Sequence, residues 1–283
     1  MSSKLIFMVL VAIIFMSVFT SPAFASNAET KANPHHKKVV NVAHRGASGH
    51  APENTIAAFD KALQMKSDFI EIDVQMTADG ELIAIHDTTV NRTTDGSGNV
   101  SNYTLEEIQQ LDAGSWFGEE FAGEPIPTFE EILDKYRGKI GILIELKSPE
   151  LYPGMEEKVA EALRDRNMHK PRNGKIIIQS FNHESVRLSK ELLPRIPHGV
   201  LAGLTWAGVT DEELEEFATY ADYFNPNMNI VTEDLVDRVH DKDMKMWAYT
   251  VRTQEQADRL LDLRVDGIIT DFPEYVHRHP GKW

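Results

Sequence analysis

A pair of carboxylates, Glu71 and Asp73, lies between two histidine motifs in the first third of the chain. The first motif, at residues 44–46, reads His-Arg-Gly, and the second, at residues 86–87, reads His-Asp. In a β-strand alternate side chains share a face, so the two carboxylates would lie side by side and repel each other. A hard, oxygen-binding dication would relieve that repulsion. Because two nearby imidazoles could supply a general acid and a general base, the pattern indicates metal-assisted hydrolysis.

Further polar side chains follow other predicted strands. Glu145 and Lys147 share a face at the end of one strand. Three carboxylates would supply enough oxygen ligands for Ca²⁺, with Mg²⁺ as the alternative, whereas zinc or iron would draw on the histidines. The candidate metal ligands are therefore Glu71, Asp73 and Glu145, and the candidate catalytic residues are His44 and His86. Arg45 and Lys147 could balance an anionic substrate group. A purely structural, ion-paired layer in the barrel is the alternative reading of the same charges.

Three more candidates lie at the ends of later strands. Gln179 and Phe181 belong to the segment Gln-Ser-Phe, and Tyr249 begins the segment Tyr-Thr-Val-Arg. We predict that these three residues contact the substrate, although their position alone would also suit Phe181 and Tyr249 as packing residues at a rim.

Short apolar runs alternate with amphipathic helical segments from residue 39 to the C-terminus. The strand candidates are residues 39–43, 69–74, 82–85, 141–146, 175–179, 199–204, 222–225, 245–250 and 267–270. The interval 75–81 is too short for a parallel crossover, so residues 82–85 should form a hairpin or lie at the mouth. The other eight strands predict a TIM (β/α)₈ barrel over residues 39–283, with a small inserted subdomain at about 88–127.

The N-terminal 25 residues have the pattern of a secretory signal peptide, with Lys4 before an apolar run and small residues before a cleavage point between Ala25 and Ser26. The apolar run is short for a membrane anchor. Residues 26–38 are polar and aperiodic, and predict a flexible leader. We therefore expect a secreted protein that keeps no stable membrane anchor after cleavage. The chain has no cysteine, so the domain must rely on its core rather than on disulfides.

The formal net charge is −15, which disfavours non-specific binding to nucleic acid. An anionic substrate would have to be attracted by a bound metal or by a few local cations. Nothing in the sequence fixes the oligomeric state.

The ordered motifs resemble those of the glycerophosphodiester phosphodiesterases. The matching segments are residues 44–46 (HRG), 52–55 (PENT), 71–87 (EIDVQMTADGELIAIHD), 145–147 (ELK), 179–181 (QSF), 249–252 (YTVR) and 267–273 (GIITDFP). One departure is Tyr249, where the family often has Trp, and this leaves the shape of the pocket for the alcohol in doubt.

The resemblance implies a TIM barrel that hydrolyses a glycerophosphodiester to glycerol phosphate and an alcohol. It implies a divalent metal on the three carboxylates, acid–base work by His44 and His86, and phosphate contacts by Arg45 and Lys147. In the mechanism proposed for the family, a substrate hydroxyl attacks phosphorus and water then opens the cyclic phosphate.

Three alternatives stay open at this point. An exported enzyme of this chemistry could trim a glycerol-phosphate polymer of the cell wall, such as teichoic acid. A lysophospholipase D-type activity is the second, with aromatics of the insertion holding an acyl chain. The third, of a different class, is an exported binding protein without catalysis, which the retained histidines and carboxylates disfavour.

Overall fold

The buried apolar runs of the sequence form nine strands in the part of the chain that the computed structural model describes, residues 39–170 and 175–277. The strands are β1 (Val40–Ala43), β2 (Phe69–Met76), β3 (Leu82–Ala84), β4 (Gly141–Leu146), β5 (Ile176–Ser180), β6 (His198–Ala202), β7 (Tyr223–Pro226), β8 (Trp247–Val251) and β9 (Gly267–Thr270). The predicted signal peptide (residues 1–25) and leader (residues 26–38) lie outside the described residues.

Eight of these strands run parallel around a nearly closed barrel, in the order β7-β6-β5-β4-β2-β1-β9-β8. Single parallel bridges from Tyr223 to Lys245 and from Asn227 to Tyr249 connect the two ends of that series. The predicted TIM barrel is therefore confirmed. The ninth strand, β3, pairs antiparallel with the end of β2, as the short interval before it predicted.

Helices cover the outside of the barrel, and seven of the nine in the described residues begin at a capping hydroxyl or amide. They are α1 (Ile56–Gln64), α2 (Leu105–Ile108), α3 (Phe129–Tyr136), α4 (Met155–Asp165), α5 (His183–Leu192), α6 (Asp211–Phe217), α7 (Glu233–Asp241), α8 (Gln254–Asp262) and α9 (Glu274–His277). A threonine side chain caps six of them, at positions 55, 104, 128, 210, 232 and 253. No helix among the described residues is long and apolar enough to cross a membrane.

The alternation of side chains along β2 separates the core from the mouth. Ile70 and Ile72 pack outward among buried residues of the surrounding helices. Phe69 points the other way and packs edge-on against Trp247 inside the barrel, with ring centroids 5.1 Å apart. Because Glu71 and Asp73 follow Phe69 on this inner face, the apolar interior forms a floor beneath the polar side chains.

The long connection at residues 88–127 contains α2 and packs on the β3 segment. Val90, Val100 and Ile108 form a small buried cluster with Ile83 and Ile85. This packing fixes the connection close to the C-terminal end of the barrel, where His86 lies. That it forms a separate subdomain stays a prediction.

Candidate active site

Glu71, Asp73 and Glu145 meet inside the mouth of the barrel. Asp73 of β2 lies directly opposite Glu145 of β4, and Glu71 precedes them on the same face. One carboxylate oxygen from each lies within 4.8 Å of the others, and all three side chains are buried. The three residues predicted to bind metal are thus brought together.

Two oxygens of this cluster, Glu71 Oε1 and Asp73 Oδ1, are buried and have no hydrogen-bond partner among the residues that the structure describes. Burying a carboxylate oxygen without a partner is costly, and a coordinated cation would satisfy it. The oxygen-only donor set is the one that Ca²⁺ and Mg²⁺ prefer. The residues present therefore fit a hard divalent cation.

Burial and mutual repulsion raise the pKa of two of the three carboxylates. Burial raises the pKa of Glu71 well above its ordinary value, and the charges of Asp73 and Glu145 raise it further. Burial also raises the pKa of Glu145, although Lys147 partly opposes the rise. Asp73 alone has a lowered pKa, because the charges of Arg45 and Lys147 outweigh its burial.

The turn after β1 directs Arg45 into the carboxylates. Its backbone N–H donates to Glu71 Oε2 at 2.8 Å, and its Nε lies 3.2 Å from Asp73 Oδ2. Arg45 adopts a left-handed conformation, with φ of 56°, and Gly46 follows at 81°. A Cβ at Gly46 would lie 2.6 Å from the carbonyl carbon of Ala58 in α1, so only glycine fits this turn.

Asn54 also holds Asp73, through the same carboxylate oxygen that Arg45 contacts and through the backbone. Its Nδ2 donates to Asp73 Oδ2 at 2.8 Å, and its Oδ1 accepts the backbone N–H of Asp73 at 3.1 Å. Lys147 follows β4 and donates to Glu145 Oε1 at 2.7 Å. Arg45, Lys147 and Asn54 thus fix the carboxylates, and within the described part of the chain Glu71 Oε1 and Asp73 Oδ1 accept no hydrogen bond, although Lys147 Nζ lies 3.8 Å from Asp73 Oδ1.

Both predicted catalytic histidines are oriented by an aspartate. His44 Nδ1 lies 2.6 Å from Asp271 Oδ1, and His86 Nδ1 lies 2.6 Å from Asp87 Oδ1. Since a carboxylate oxygen accepts the proton, each ring carries its hydrogen on Nδ1 and leaves Nε2 for exchange with a substrate. Burial lowers the pKa of both rings, so both favour the neutral form.

Two of the three predicted substrate contacts lie next to the carboxylate cluster: Gln179 of β5 is paired with Glu145 of β4, and Lys147 Nζ lies 5.7 Å from the centre of the Phe181 ring. Gln179 is buried in β5, where its Oε1 accepts from Asn225 Nδ2 at 2.8 Å. Phe181 is 49% exposed and packs edge-on against Tyr249, whose hydroxyl donates to the carbonyl of Ala202. Phe181 and Tyr249 thus form an aromatic rim, and Gln179 lies below it. Their contact with a substrate stays a prediction.

Sequence reasoning did not identify the residues that hold the predicted site residues in place. Asp271 and Asp87 orient the histidines, and Glu53 accepts from Arg45 NH1 at 2.8 Å. All three belong to the quoted motifs, but spacing alone gave them no role. Arg92 contacts both Asp87 and Glu53, and it gave no signal beyond its nearness to His86.

Carboxylates, histidines and basic side chains line the mouth of this (β/α)₈ barrel, as in a barrel enzyme that acts on an anionic substrate. The sequence model of the glycerophosphoryl diester phosphodiesterase family matches residues 44–275. The chain belongs to this family, as its motifs predicted, and it is an enzyme that hydrolyses phosphoric diesters.

Curated relatives and a solved structure agree with this assignment. A glycerophosphodiester phosphodiesterase of Bacillus subtilis is 39% identical over 276 residues, which cover 93% of this chain and 93% of that protein. One from Caldanaerobacter subterraneus subsp. tengcongensis is 43% identical over 241 residues, covering 84% and 96%. A solved phosphodiesterase of Oleispira antarctica, in complex with the product sn-glycerol-3-phosphate, is 31% identical with a TM-score of 0.74, covering 83% and 94%.

Proposed function

We propose that this enzyme is metal-dependent and hydrolyses glycerophosphodiesters to glycerol phosphate and an alcohol by two-histidine acid–base catalysis. The observation that carries the proposal is the buried cluster of three carboxylates with two unpartnered oxygens. Glycerol 3-phosphate in the Oleispira antarctica relative supports the expected product. Ca²⁺ is the proposed ion, and Mg²⁺ is the alternative.

The residues of the site have three different proposed roles: holding a cation, supplying fixed positive charge and transferring protons. A cation held by the carboxylates would polarise a phosphoryl oxygen and stabilise charge that develops on it. Arg45 and Lys147 lie beside the cluster as fixed positive charges for the phosphate. A neutral histidine accepts a proton at Nε2 from the attacking hydroxyl, and the other histidine, which must enter the step protonated on both ring nitrogens, donates its Nε2 proton to the leaving oxygen. Their Nδ1 contacts keep both Nε2 atoms available for this exchange.

The test is an assay of the purified enzyme with glycerophosphocholine, in Ca²⁺, Mg²⁺ or chelator, that identifies both products. Glycerol phosphate and choline should be released with metal and not with chelator. His44→Ala should lose turnover and keep its thermal unfolding transition, whereas full activity in that folded variant would contradict its assigned role. Tight binding of diesters without turnover would favour the non-catalytic alternative.

A diester with a larger or more apolar substituent is a second candidate for the substrate. Leu151, Phe181 and Leu204 are exposed on the loops after β4, β5 and β6, which are three neighbouring strands of the barrel. An exposed apolar rim at the mouth would suit the acyl chain of a lysophospholipid. Comparison of kcat/KM for glycerophosphocholine, a lysophospholipid and a glycerol-phosphate polymer separates the alternatives, including trimming of teichoic acid.

Export is part of the proposal. It is supported by the signal-peptide pattern of residues 1–25. Expression of the full chain should yield a protein outside the cytoplasm that begins at Ser26. Intact mass of the exported protein checks this, and a mass that includes the first 25 residues would contradict it.

A further inference from the structure

Arg92 forms ion pairs with two carboxylates, Glu53 and Asp87, each of which holds another residue of the site. Its NH1 and NH2 donate to the two oxygens of Glu53, each at 2.8 Å. Its Nε and NH2 donate to the two oxygens of Asp87 at 2.8 and 3.1 Å. Asp87 holds the ring of His86, and Glu53 holds the guanidinium of Arg45.

The backbone around Arg92 is fixed by the long connection. Val90 is fully buried, and its N–H donates to the carbonyl of Gly98 at 3.0 Å. Thr94 Oγ1 donates to the carbonyl of Val90 at 2.7 Å. The guanidinium is therefore presented from an ordered turn and not from a free loop.

Stability alone does not account for this arrangement. The Arg92 side chain is 44% exposed, and although a bidentate, networked ion pair is worth more than an isolated exposed pair, folding alone does not require that its two carboxylates be the ones that hold His86 and Arg45. A guanidinium that forks onto two carboxylates gives geometric specificity, because both planar contacts must be satisfied together.

We propose that Arg92 is a positioning residue for the hydrolysis. It orients His86 through Asp87. It orients Arg45 through Glu53. The inference rests on the proposed two-histidine function, and it adds that the long connection aligns a proton-transfer group with a phosphate-binding group.

A second arginine provides a matched comparison at the other histidine. Arg252 Nε donates to Asp271 Oδ2 at 2.7 Å, and Asp271 holds His44. Each histidine is thus backed by an aspartate and then by an arginine. Arg252 differs in that it has no contact with Glu53 among the interactions of the described residues.

The experiment compares Arg92→Met with Arg252→Met and with Arg166→Met. Arg166 makes a similar forked pair with Asp134, at 2.8 and 3.0 Å, away from the mouth. Two readouts are collected for each variant: long-range ¹H–¹⁵N NMR titration of the histidine rings, and the pH dependence of kcat and KM with glycerophosphocholine.

Loss of the guanidinium leaves the aspartate charge less neutralised, so the imidazolium form of its histidine is favoured. Arg92→Met should raise the titration midpoint of His86 by about 0.5–1 pH unit, and move one limb of the pH profile in the same direction. Asp73, Arg45 and Lys147 also act on the His86 ring and are unchanged in this variant.

We expect Arg92→Met to lower kcat at least about tenfold and to raise KM, because misplaced catalytic groups are costly. Arg252→Met should raise the titration midpoint of His44 and shift the other limb of the pH profile of kcat. Arg166→Met should change neither ring. Arg92→Met with an unmoved His86 midpoint, or with activity reduced only in proportion to its unfolded fraction, would overturn the proposal.

The NMR titration separates this inference from the proposed function. If His86 responds to Arg92→Met and no diester is hydrolysed by the wild type, the positioning network stands and the proposed reaction is wrong. If the wild type is active and His86 does not respond, the reaction stands and the role of Arg92 is wrong.

Discussion

The substitution Glu71→Gln should stabilise the metal-free enzyme while it abolishes activity. Two unit charges 4.8 Å apart repel by about 3.5 kcal/mol at an effective dielectric constant near 20. Glutamine removes one of these charges, and its Oε1 can still accept the Arg45 N–H that Glu71 accepts at 2.8 Å. Its amide can donate to the unpartnered Oδ1 of Asp73.

Part of the repulsion in the wild type is already relieved, because Glu71 holds a proton more tightly than usual. The pKa of Glu71 in the folded protein is raised above its ordinary value of 4.5. The stability that the protonated form gives is therefore complete below pH 4.5. This stability is lost as the pH rises through the raised pKa. The advantage of Glu71→Gln should therefore grow as the pH rises above 4.5 and through the raised pKa of Glu71. We expect a gain of about 2 kcal/mol above that pKa, or ~4–8 °C in Tm.

The assay is thermal unfolding by circular dichroism, in chelator and then with increasing Ca²⁺. Ligand at 100 times its Kd should stabilise the wild type by about 2.7 kcal/mol, and Glu71→Gln should show little of this shift. Glu53→Gln is the matched control, because Arg92 and Arg45 hold the pKa of Glu53 below its ordinary value in spite of its burial. This control should lose stability in chelator and keep the Ca²⁺ shift. A Glu71→Gln variant less stable than the wild type in chelator at a pH above the raised pKa of Glu71, or one that keeps the Ca²⁺ shift, would refute the reasoning.

Three further predictions concern stability and are checked by urea unfolding. Asn54→Gly should lower the free energy of unfolding by roughly 1–3 kcal/mol, because Asp73 loses both contacts with the Asn54 amide. Asn54→Ala should lower it by about 1 kcal/mol more, because alanine is strained at a φ of 57°. Equal losses in the two variants would contradict the claim of backbone strain. Lys66→Gly should gain up to about 1 kcal/mol, since Lys66 follows α1 at a φ of 60°, and Lys66→Ala should gain nothing. Burial holds the pKa of His198 at about 4, below its ordinary 6.5, so stability should be complete above pH 6.5 and fall by about 3 kcal/mol towards pH 4. His198→Gln should flatten that dependence, and an unchanged slope would exclude His198 as its source.

Most of the barrel could be predicted from the sequence because its signals are local. Apolar runs and helix caps give the strands and helices to within a few residues, and the short interval at residues 75–81 predicted that β3 turns back on β2. The carboxylate cluster followed from two local facts: alternation along β2, and the convergence of parallel strand ends on one mouth.

Some partners of the site residues could not be predicted, because they are far away in sequence or lie on an aperiodic turn. His44 meets Asp271 across 227 positions of sequence, since β1 lies beside β9 in the barrel. Arg92 lies on an aperiodic turn whose path is fixed by a small apolar cluster, so no spacing rule indicates where its side chain points. Motif order predicted the family, whereas the hydrogen-bond network required the fold.

The turn at residues 44–46 explains why these three residue types occur together. Because Gly46 has no Cβ, this turn can pack closely against α1. A Cβ at this position would lie 2.6 Å from the carbonyl carbon of Ala58. That close approach turns the Arg45 N–H towards Glu71, and the resulting positive φ is strained for an arginine. Contacts of Arg45 with Asp73 and Glu53 offset the strain. His44 lies just before the turn, so the same backbone geometry that binds a carboxylate also places the ring against Asp271. Relaxing the turn would therefore disturb the proposed metal ligands and the proposed proton-transfer group together, and the two proposed roles cannot be separated by a substitution at Gly46.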